Sequence, residues 1–582
     1  MTKKILAGLL AALFLFVSGP MLAESETAEE KISLPERYDW SAIQTLLIAP
    51  RAQELPPVAT DEQGNFHAYS LDRESATIEH VAVNTRGEIF IQRQAELPHI
   101  DEDTLLAATP FSHGLTLLWS TLDSDGNWQL YTAFWDEQGS LGDTQRLAYN
   151  ISHPNQIIDT RAGLSRVMLG LSVAMDKDGR MHISMMGGIP REMRAIYILF
   201  DTDLEMIRAE GVPTGRSWIR DRRAFSGGQI IVDAQGTAYI LNDFSGRMYM
   251  DIVQPDSSPH TVDLGPSTFN LAGFGSGGLY TVRRVGPVMD IDEEGTVHIV
   301  YNNLTKPPSL TPHIVDVGYI QVRDGQVVLD KIITNQMGVS HYPTVTANGG
   351  RVYIAWEETS GSTHELYYSV LDYQGDILSG FKRLTWEQAY SRLGFIYADD
   401  QGELHAFWWR PDRDGQDRLA YKNTVNPVPY TIWLQLGFDP YDPDSTLTGQ
   451  LFYYGIMTII SSIGQVVANL HLMLLVIGLL FILYKLQVLD FLLERPWTLF
   501  LMLLVLMYPL MPRISAAESA FAMTGGYHFF VWLAAAGMSS AMMMLLKIRP
   551  NSTLNLVLGC CFWLLAAVMM QMVPIVPMSF AI

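Results

Sequence analysis

Between residues 24 and 425 the chain alternates apolar and polar positions in short runs, broken by clusters of Asp, Gly and Asn. A period of two over such lengths predicts strands, and no stretch of this segment holds a helical period. One phrase recurs: a strand, Asp-x-x-Gly, then a strand with His or Tyr at a fixed place. It reads Asp61-Glu-Gln-Gly64 before His67, Asp176-Lys-Asp-Gly179 before His182, and Asp233-Ala-Gln-Gly236 before Tyr239. It returns as Asp292-Glu-Glu-Gly295 before His298, Ala347-Asn-Gly-Gly350 before Tyr353, and Asp399-Asp-Gln-Gly402 before His405. Glycine supplies the positive φ of a tight hairpin, and the Asp side chain can bond the turn backbone.

The spacings of these phrases are 57, 59, 55 and 52 residues from position 176 onward, and 115 between 61 and 176. The doubled gap predicts a diverged copy, which Phe111-Ser-His-Gly114 followed by Leu115–Trp119 supplies, making seven units. Second hairpins are legible at Asp136–Gly139, Arg323–Gly325 and Asp372–Gly375. Four strands per unit, repeated seven times, predict a seven-bladed β-propeller. A β-solenoid is the competing repeat fold, but its rungs are usually shorter. The last unit has strands near 393–397, 404–409 and 418–422 and lacks a fourth. Residues 43–49, ahead of the first unit, are expected to supply it and close the ring, which removes two sheet edges.

Beyond residue 450 the pattern changes to four apolar segments, at about 463–484, 497–511, 527–546 and 554–573. Their lengths approach the ~20 residues of a bilayer-spanning helix, and 488–493 can extend the short second one. Lys485 and Arg495 lie in one connection, Lys547 and Arg549 in another, and only Arg513 on the opposite side. Cytoplasmic loops favour Lys and Arg, so both ends of the tail are expected outside the cytoplasm. No acidic or basic residue lies central to a span, which disfavours a transporter. His471 and His528 fall in the outer half, where a haem or metal pair competes with ordinary interfacial histidines. The tail's methionines read as flexible apolar filler rather than copper ligands.

At the other end, Lys3, Lys4, the apolar run 5–17 and Ala23 read as a secretory signal over residues 1–23, with an uncleaved anchor as the alternative. No cysteine stands at the junction, so lipid attachment there is excluded. The expected fold class is therefore an all-β seven-bladed propeller ectodomain plus a C-terminal α-helical transmembrane bundle. The expected organisation is signal peptide 1–23, propeller 24–425 with its N-terminal closing strand, linker 426–450, and membrane domain 451–582.

Composition sharpens this picture. Of 582 residues 48% are apolar and 11% aromatic, which excludes a disordered chain. Residues 24–450 hold 32 basic and 58 acidic side chains, a net −26, so phosphate is repelled and no nucleic-acid partner is expected. Cys560 and Cys561, adjacent in the tail, are the only cysteines, so the body has no disulfide scaffold. A compact signal and a cysteine-free body suggest a bacterial inner-membrane protein, multi-pass, with the propeller in the periplasm.

The phrase Asp-x-x-Gly-x-apolar-His/Tyr-apolar, over residues 61–421, resembles propeller repeats of the broad sialidase-like group, which includes some polysaccharide lyases. The resemblance is at repeat level and implies architecture. The sialidase Asp-box, Ser-x-Asp-x-Gly-x-x-Trp, is not matched, Asp123-Ser-Asp-Gly-Asn-Trp128 being out of register, and no activity is carried over. His67, His182, His298 and His405 share their slot with Tyr239 and Tyr353, which favours a structural role.

Segments leading into the innermost strands of a propeller open on one face, opposite the Asp-x-x-Gly hairpins. Here they carry Arg161 and Arg166, Arg220, Arg222 and Arg223, Arg283 and Arg284, and Arg392, with His341 and Tyr342 in the sixth unit. Loops between second and third strands add Arg191, Arg194, Arg247 and Lys306. Guanidinium groups pair with carboxylate, sulfate or phosphate through two parallel bonds. The expected ligand-binding set is Arg166, Arg191, Arg194, Arg222, Arg223, Arg247, Arg283, Arg284, His341, Tyr342 and Arg392. The alternative is that these arginines pair with neighbouring acids such as Glu192, Asp221 and Asp243. Tyr342, Tyr390, His341, Asp243 and Glu357 could supply an acid or base, though no spacing selects them. Asp412–Asp417 reads as a polar loop rather than a calcium site. No zinc motif, P-loop, dinucleotide fingerprint or nucleophile elbow occurs, and no metal or cofactor is expected. Three roles follow: a membrane-anchored propeller binding a protein partner or an anionic glycan or carboxylate; a hydrolase or lyase acting on acidic glycans; or an accessory subunit of a larger membrane complex.

Overall fold

In a computed structural model of the chain, the described residues lie within 34–449, apart from 36–38, 50–57, 62, 102–103, 112–113, 123–127, 148–169, 190–191, 213–224, 245–246, 267–286, 307–313, 335–338, 361–362, 386–390, 412–415, 432–439 and 442–445. Their strands form seven antiparallel blades: 58–96, 105–147, 170–211, 225–266, 288–332, 339–383 and 392–423. In each, consecutive strands pair outward from the axis. Blades 5 and 6 also touch through one parallel pair, Val315 with Val339. The last blade holds three of its own strands, Arg392–Ala398, Leu404–Pro411 and Asp417–Asn423, and its fourth is Gln44–Ala49. The pairing is antiparallel, from Gln44 opposite Tyr421 to Ala49 opposite Asp417. The ring therefore closes as the sequence predicts, and the solenoid alternative is excluded.

Burial explains the strand compositions. Second strands are sandwiched between neighbouring blades and read as apolar runs, such as Leu404–Pro411. Fourth strands alternate and stay exposed, such as Gln326–Ile332 and Ile89–Glu96. Seven buried clusters fill the seven seams. Leu115, Trp119 and Trp135 pack against Ile78 between blades 1 and 2, and Ile183, Ile198 and Phe200 against Leu118 and Leu130 between blades 2 and 3. At the closing seam Leu46 and Leu47 join Phe407, Trp409 and Tyr421 against Phe66 and Val81. A seam at every junction stabilises each blade through its two neighbours.

The Asp-x-x-Gly phrases are the hairpins between first and second strands. At Asp61, Oδ1 accepts from the amides of Gln63 and Asn65 at 2.9 and 2.8 Å, and the carbonyl accepts from Gly64 at 3.0 Å. The same three bonds recur at Asp176, Asp233, Asp292 and Asp399. Their glycines have φ between +79° and +82°, where a Cβ would be strained.

The shared His/Tyr slot is explained by the second carboxylate oxygen. The Nε2 of His67, His182 and His298 lies 3.1, 3.2 and 3.0 Å from Oδ2 of Asp61, Asp176 and Asp292, and Tyr239 donates to Asp233 at 3.2 Å. A carboxylate only accepts, so Nε2 carries the proton and Nδ1 accepts. That acceptor is filled by a tyrosine of the third strand: Tyr197 to His182 at 2.9 Å, Tyr319 to His298 at 2.7 Å, Tyr421 to His405 at 2.8 Å. In blade 1 the place of the tyrosine is taken by His80, whose Nε2 lies 3.0 Å from His67 Nδ1. His80 Nδ1 in turn accepts from Arg93 Nε at 2.9 Å. Arg93 stacks over Trp135 of blade 2, 4.4 Å from the ring centroid, and donates to the Trp135 carbonyl. Burial pushes His80 down to about 2 and His405 to about 4, and lowers His182 and His298. These histidines are neutral structural relays.

Strand direction fixes two faces. The Asp-x-x-Gly hairpins and the hairpins between third and fourth strands lie on one; the segments that lead into the first strands lie on the other. The closing strand starts, and the last strand ends, on the hairpin face, where Ser41 N donates to the Asn423 carbonyl at 2.7 Å. Beyond Asn423 the chain stays on that face. Val428 N donates to the Trp40 carbonyl at 3.1 Å, and Asn426 Nδ2 to the Arg86 carbonyl in blade 1. Gly87, at φ +77°, leaves room for this crossing, because a Cβ there would sit 2.3 Å from Asn423 Nδ2.

Among the described residues no helix is long and apolar enough to cross a membrane. The expected signal at 1–23, the four expected spans, His471 and His528 lie outside the described residues.

Candidate functional site at the channel mouth

The innermost strands line the axis and are stitched to one another by side chains. Ser172 accepts from Ile230 N at 3.2 Å. Gln229 donates to the Met289 carbonyl and accepts from Met289 N at 3.1 and 2.9 Å. Asp290 Oδ2 accepts from Ala347 N at 2.8 Å, Thr344 donates to Gly394 at 2.6 Å, and Asn348 to Ala398 at 2.8 Å. Tyr397 donates to Val58 across the closing seam at 3.3 Å. This belt fixes the wall, and the groups at the end opposite the hairpins inherit its rigidity. On the wall, burial pushes the Asp290 carboxyl up to about 6.

At the end opposite the hairpins, the first strands of blades 6 and 7 carry the same defect. In blade 6, His341 pairs with Glu357 and Thr344 with Ala355, so Tyr342 and Pro343 oppose Trp356 alone. In blade 7, Arg392 pairs with Trp409 and Phe395 with Phe407, so Leu393 and Gly394 oppose Trp408. Both are bulges, and the residues at them, Tyr342 and Leu393, have φ of 52° and 54°. Left-handed backbone at a non-glycine residue costs about 1 kcal/mol or more and concentrates at functional sites. The bonds Thr344–Gly394 and Asn348–Ala398 run at a constant offset of 50 residues, which sets Tyr342 level with Arg392.

The first-strand entrance thus carries three of the predicted residues at one level of adjacent strands, His341 with Tyr342 in blade 6 and Arg392 in blade 7. His341 Nε2 is 3.3 Å from Glu357 Oε1, with side-chain exposures of 15% and 3%. The carboxylate backs the imidazole and fixes its orientation. The Tyr342 ring meets the His341 ring edge-on at 4.4 Å, and Tyr342 N donates to Asn302 Oδ1 of blade 5 at 2.9 Å. Arg392 bonds Asp417 Oδ1 at 2.6 Å yet keeps 31% of its side chain exposed. Behind His341, Glu358 accepts from Ser340 at 2.5 Å, and burial raises its carboxyl. The arrangement offers an oriented imidazole, a phenol and a guanidinium on one rigid rim.

Arg247 lies at the same end but toward the outside of blade 4, where it forms an ion pair with Asp263 at 2.6 Å, both about half exposed. Arg166, Arg191, Arg222, Arg223, Arg283 and Arg284 lie outside the described residues, as do Arg161, Arg220 and Tyr390, and the side chains of Arg194 and Asp243. Sequence reasoning missed Asn302 and Ser340 and did not single out Asp417 as a partner. A usable signal was present: Pro343 and Gly394 interrupt strand patterns just after His341-Tyr342 and Arg392-Leu393, as bulges do. Among the described residues no group of three or more His, Cys, Asp or Glu could hold a metal ion.

No family model matches the sequence, and no curated relative does. The chain is similar to several solved structures. The polysaccharide lyase Uly1 is 10% identical, with a TM-score of 0.40, over 69% of this chain and 93% of its own. A PL25 ulvan lyase bound to -[GlcA(1-4)Rha3S]- is 10% identical, with a TM-score of 0.41, over 65% and 94%. Trypanosoma rangeli sialidase in complex with sialic acid is 10% identical, with a TM-score of 0.33, over 63% and 60%. That this chain is a seven-bladed propeller rests on its own strand pairing.

Proposed function

We propose that this chain is a membrane-anchored propeller outside the cytoplasm whose channel mouth binds an anionic ligand, a carboxylate or an acidic glycan. The observation that supports it is the pair of matched bulges on adjacent first strands, one carrying His341 and Tyr342 and the other Arg392. The apolar tail supplies the anchor in this reading and docks against other membrane proteins. The test is titration of the detergent-solubilised full chain with galacturonate oligomers. Binding is expected, weakened at least tenfold by Arg392→Ala and by His341→Ala. Absence of binding to acidic oligomers, or binding that both variants leave unchanged, refutes the reading.

One observation favours a second reading, an enzyme acting on acidic glycans. The carboxylate-backed imidazole of His341 touches a phenol, and such a pair can take and return a proton next to a bound uronate. Turnover of the same oligomers, lost in His341→Ala and in Arg283→Ala, would select this reading over binding alone.

A further inference from the structure

We infer that the propeller stands on the bilayer with its hairpin face toward the lipid and its channel mouth turned away. The mouth therefore takes its ligand from solution rather than from a lipid headgroup. This rests on the proposed membrane anchor and deepens it by assigning an orientation.

The geometry of the exit carries the inference. The last strand, Asp417–Asn423, runs from the mouth to the hairpin face, and the chain leaves there. The exit is bound to the face on both sides of the closing seam. Asn423 N donates to Ser41 Oγ at 3.0 Å, Asn426 N to Asn423 Oδ1 at 2.9 Å, and Val428 N to the Trp40 carbonyl at 3.1 Å. On blade 1, Asn426 Nδ2 reaches the Arg86 carbonyl. The apolar tail that begins after residue 450 is thus tethered from the hairpin side. To turn the mouth to the lipid, the segment 429–449 would have to pass around the rim. Strands of 7–10 residues separate the faces by roughly 25 Å at ~3.3 Å per residue.

The experiment uses the full chain with Cys560→Ser and Cys561→Ser, carrying one new thiol at Gln235→Cys on the hairpin face or at Glu74→Cys on the mouth face. Both positions are exposed. Each variant is labelled with a donor dye and reconstituted into phosphatidylcholine–phosphatidylglycerol vesicles bearing headgroup acceptors. Energy transfer is expected to be severalfold stronger from position 235 than from 74. Galacturonate oligomers should bind reconstituted and detergent-solubilised chains within about threefold of one another. Equal transfer, stronger transfer from position 74, or a tenfold loss of binding on reconstitution overturns the orientation while leaving the anchor intact. Chain extracted from the vesicles by alkaline carbonate refutes the anchor itself.

Discussion

Acidification tests the reading of the buried histidines as structural relays. His80 and His405 are held at about 2 and about 4 by burial, whereas in the unfolded chain each returns to about 6.5. A depressed folded pKa means that the unfolded chain binds the extra proton. The contribution is fully present above pH 6.5 and is lost as pH falls. At pH 5 each of these two histidines favours unfolding by roughly 2 kcal/mol relative to pH 8. His182 and His298 act in the same direction. Asp290 opposes them: its folded carboxyl is raised to about 6, so it gains roughly 1.4 kcal/mol over the same interval. Glu358 and Glu79, also raised by burial, oppose the loss in the same way as Asp290, and the body should lose roughly 2–3 kcal/mol net between pH 8 and pH 5. Urea unfolding of the full chain in detergent, followed by fluorescence of the buried Trp119, Trp135, Trp356 and Trp408, measures this. His80→Gln, which cannot titrate, should remove about 2 kcal/mol of the loss. A midpoint that stays flat from pH 8 to pH 5, or a His80→Gln profile that parallels the parent's, would show that these rings are not held neutral.

Three further outcomes follow from the packing. Asp292→Ala removes the acceptor for Glu294 N, Thr296 N and His298 Nε2 and should cost about 3–5 kcal/mol by urea midpoint, Asp292→Asn less, because it keeps a carbonyl oxygen. Gly87→Ala forces a Cβ toward Asn423 at a positive φ and should lower stability by about 1–2 kcal/mol while making the 424–431 segment more sensitive to protease. Leu47→Ala, at a position 1% exposed in the closing seam, should cost about 3 kcal/mol and expose the N-terminal strand to proteolysis ahead of the blades.

How much of this was legible in the sequence follows from the range of each interaction. The blade count, the hairpins and the shared His/Tyr slot are set by contacts within six residues, as Asp176 with Gly179 and His182, so they repeat visibly. The closing strand was legible for a different reason: a last blade short of one strand needs a partner, and an unpaired apolar run stood at the start. The mouth could be read only as a list of residue types. His341 and Arg392 stand at one level because neighbouring blades align at an offset of about 50 residues, and Arg392 finds Asp417 two strands away in its own blade. Local sequence carries no record of which acid will face which base. Nor does it say from which side the chain departs, because that depends on the direction of the last strand in a closed ring. The sequence by itself determined the units and their number, through short-range turn chemistry and burial periodicity. Only the tertiary structure decided which residues stand level at the axis and from which face the last strand departs, because both arise from contacts between blades far apart in the chain.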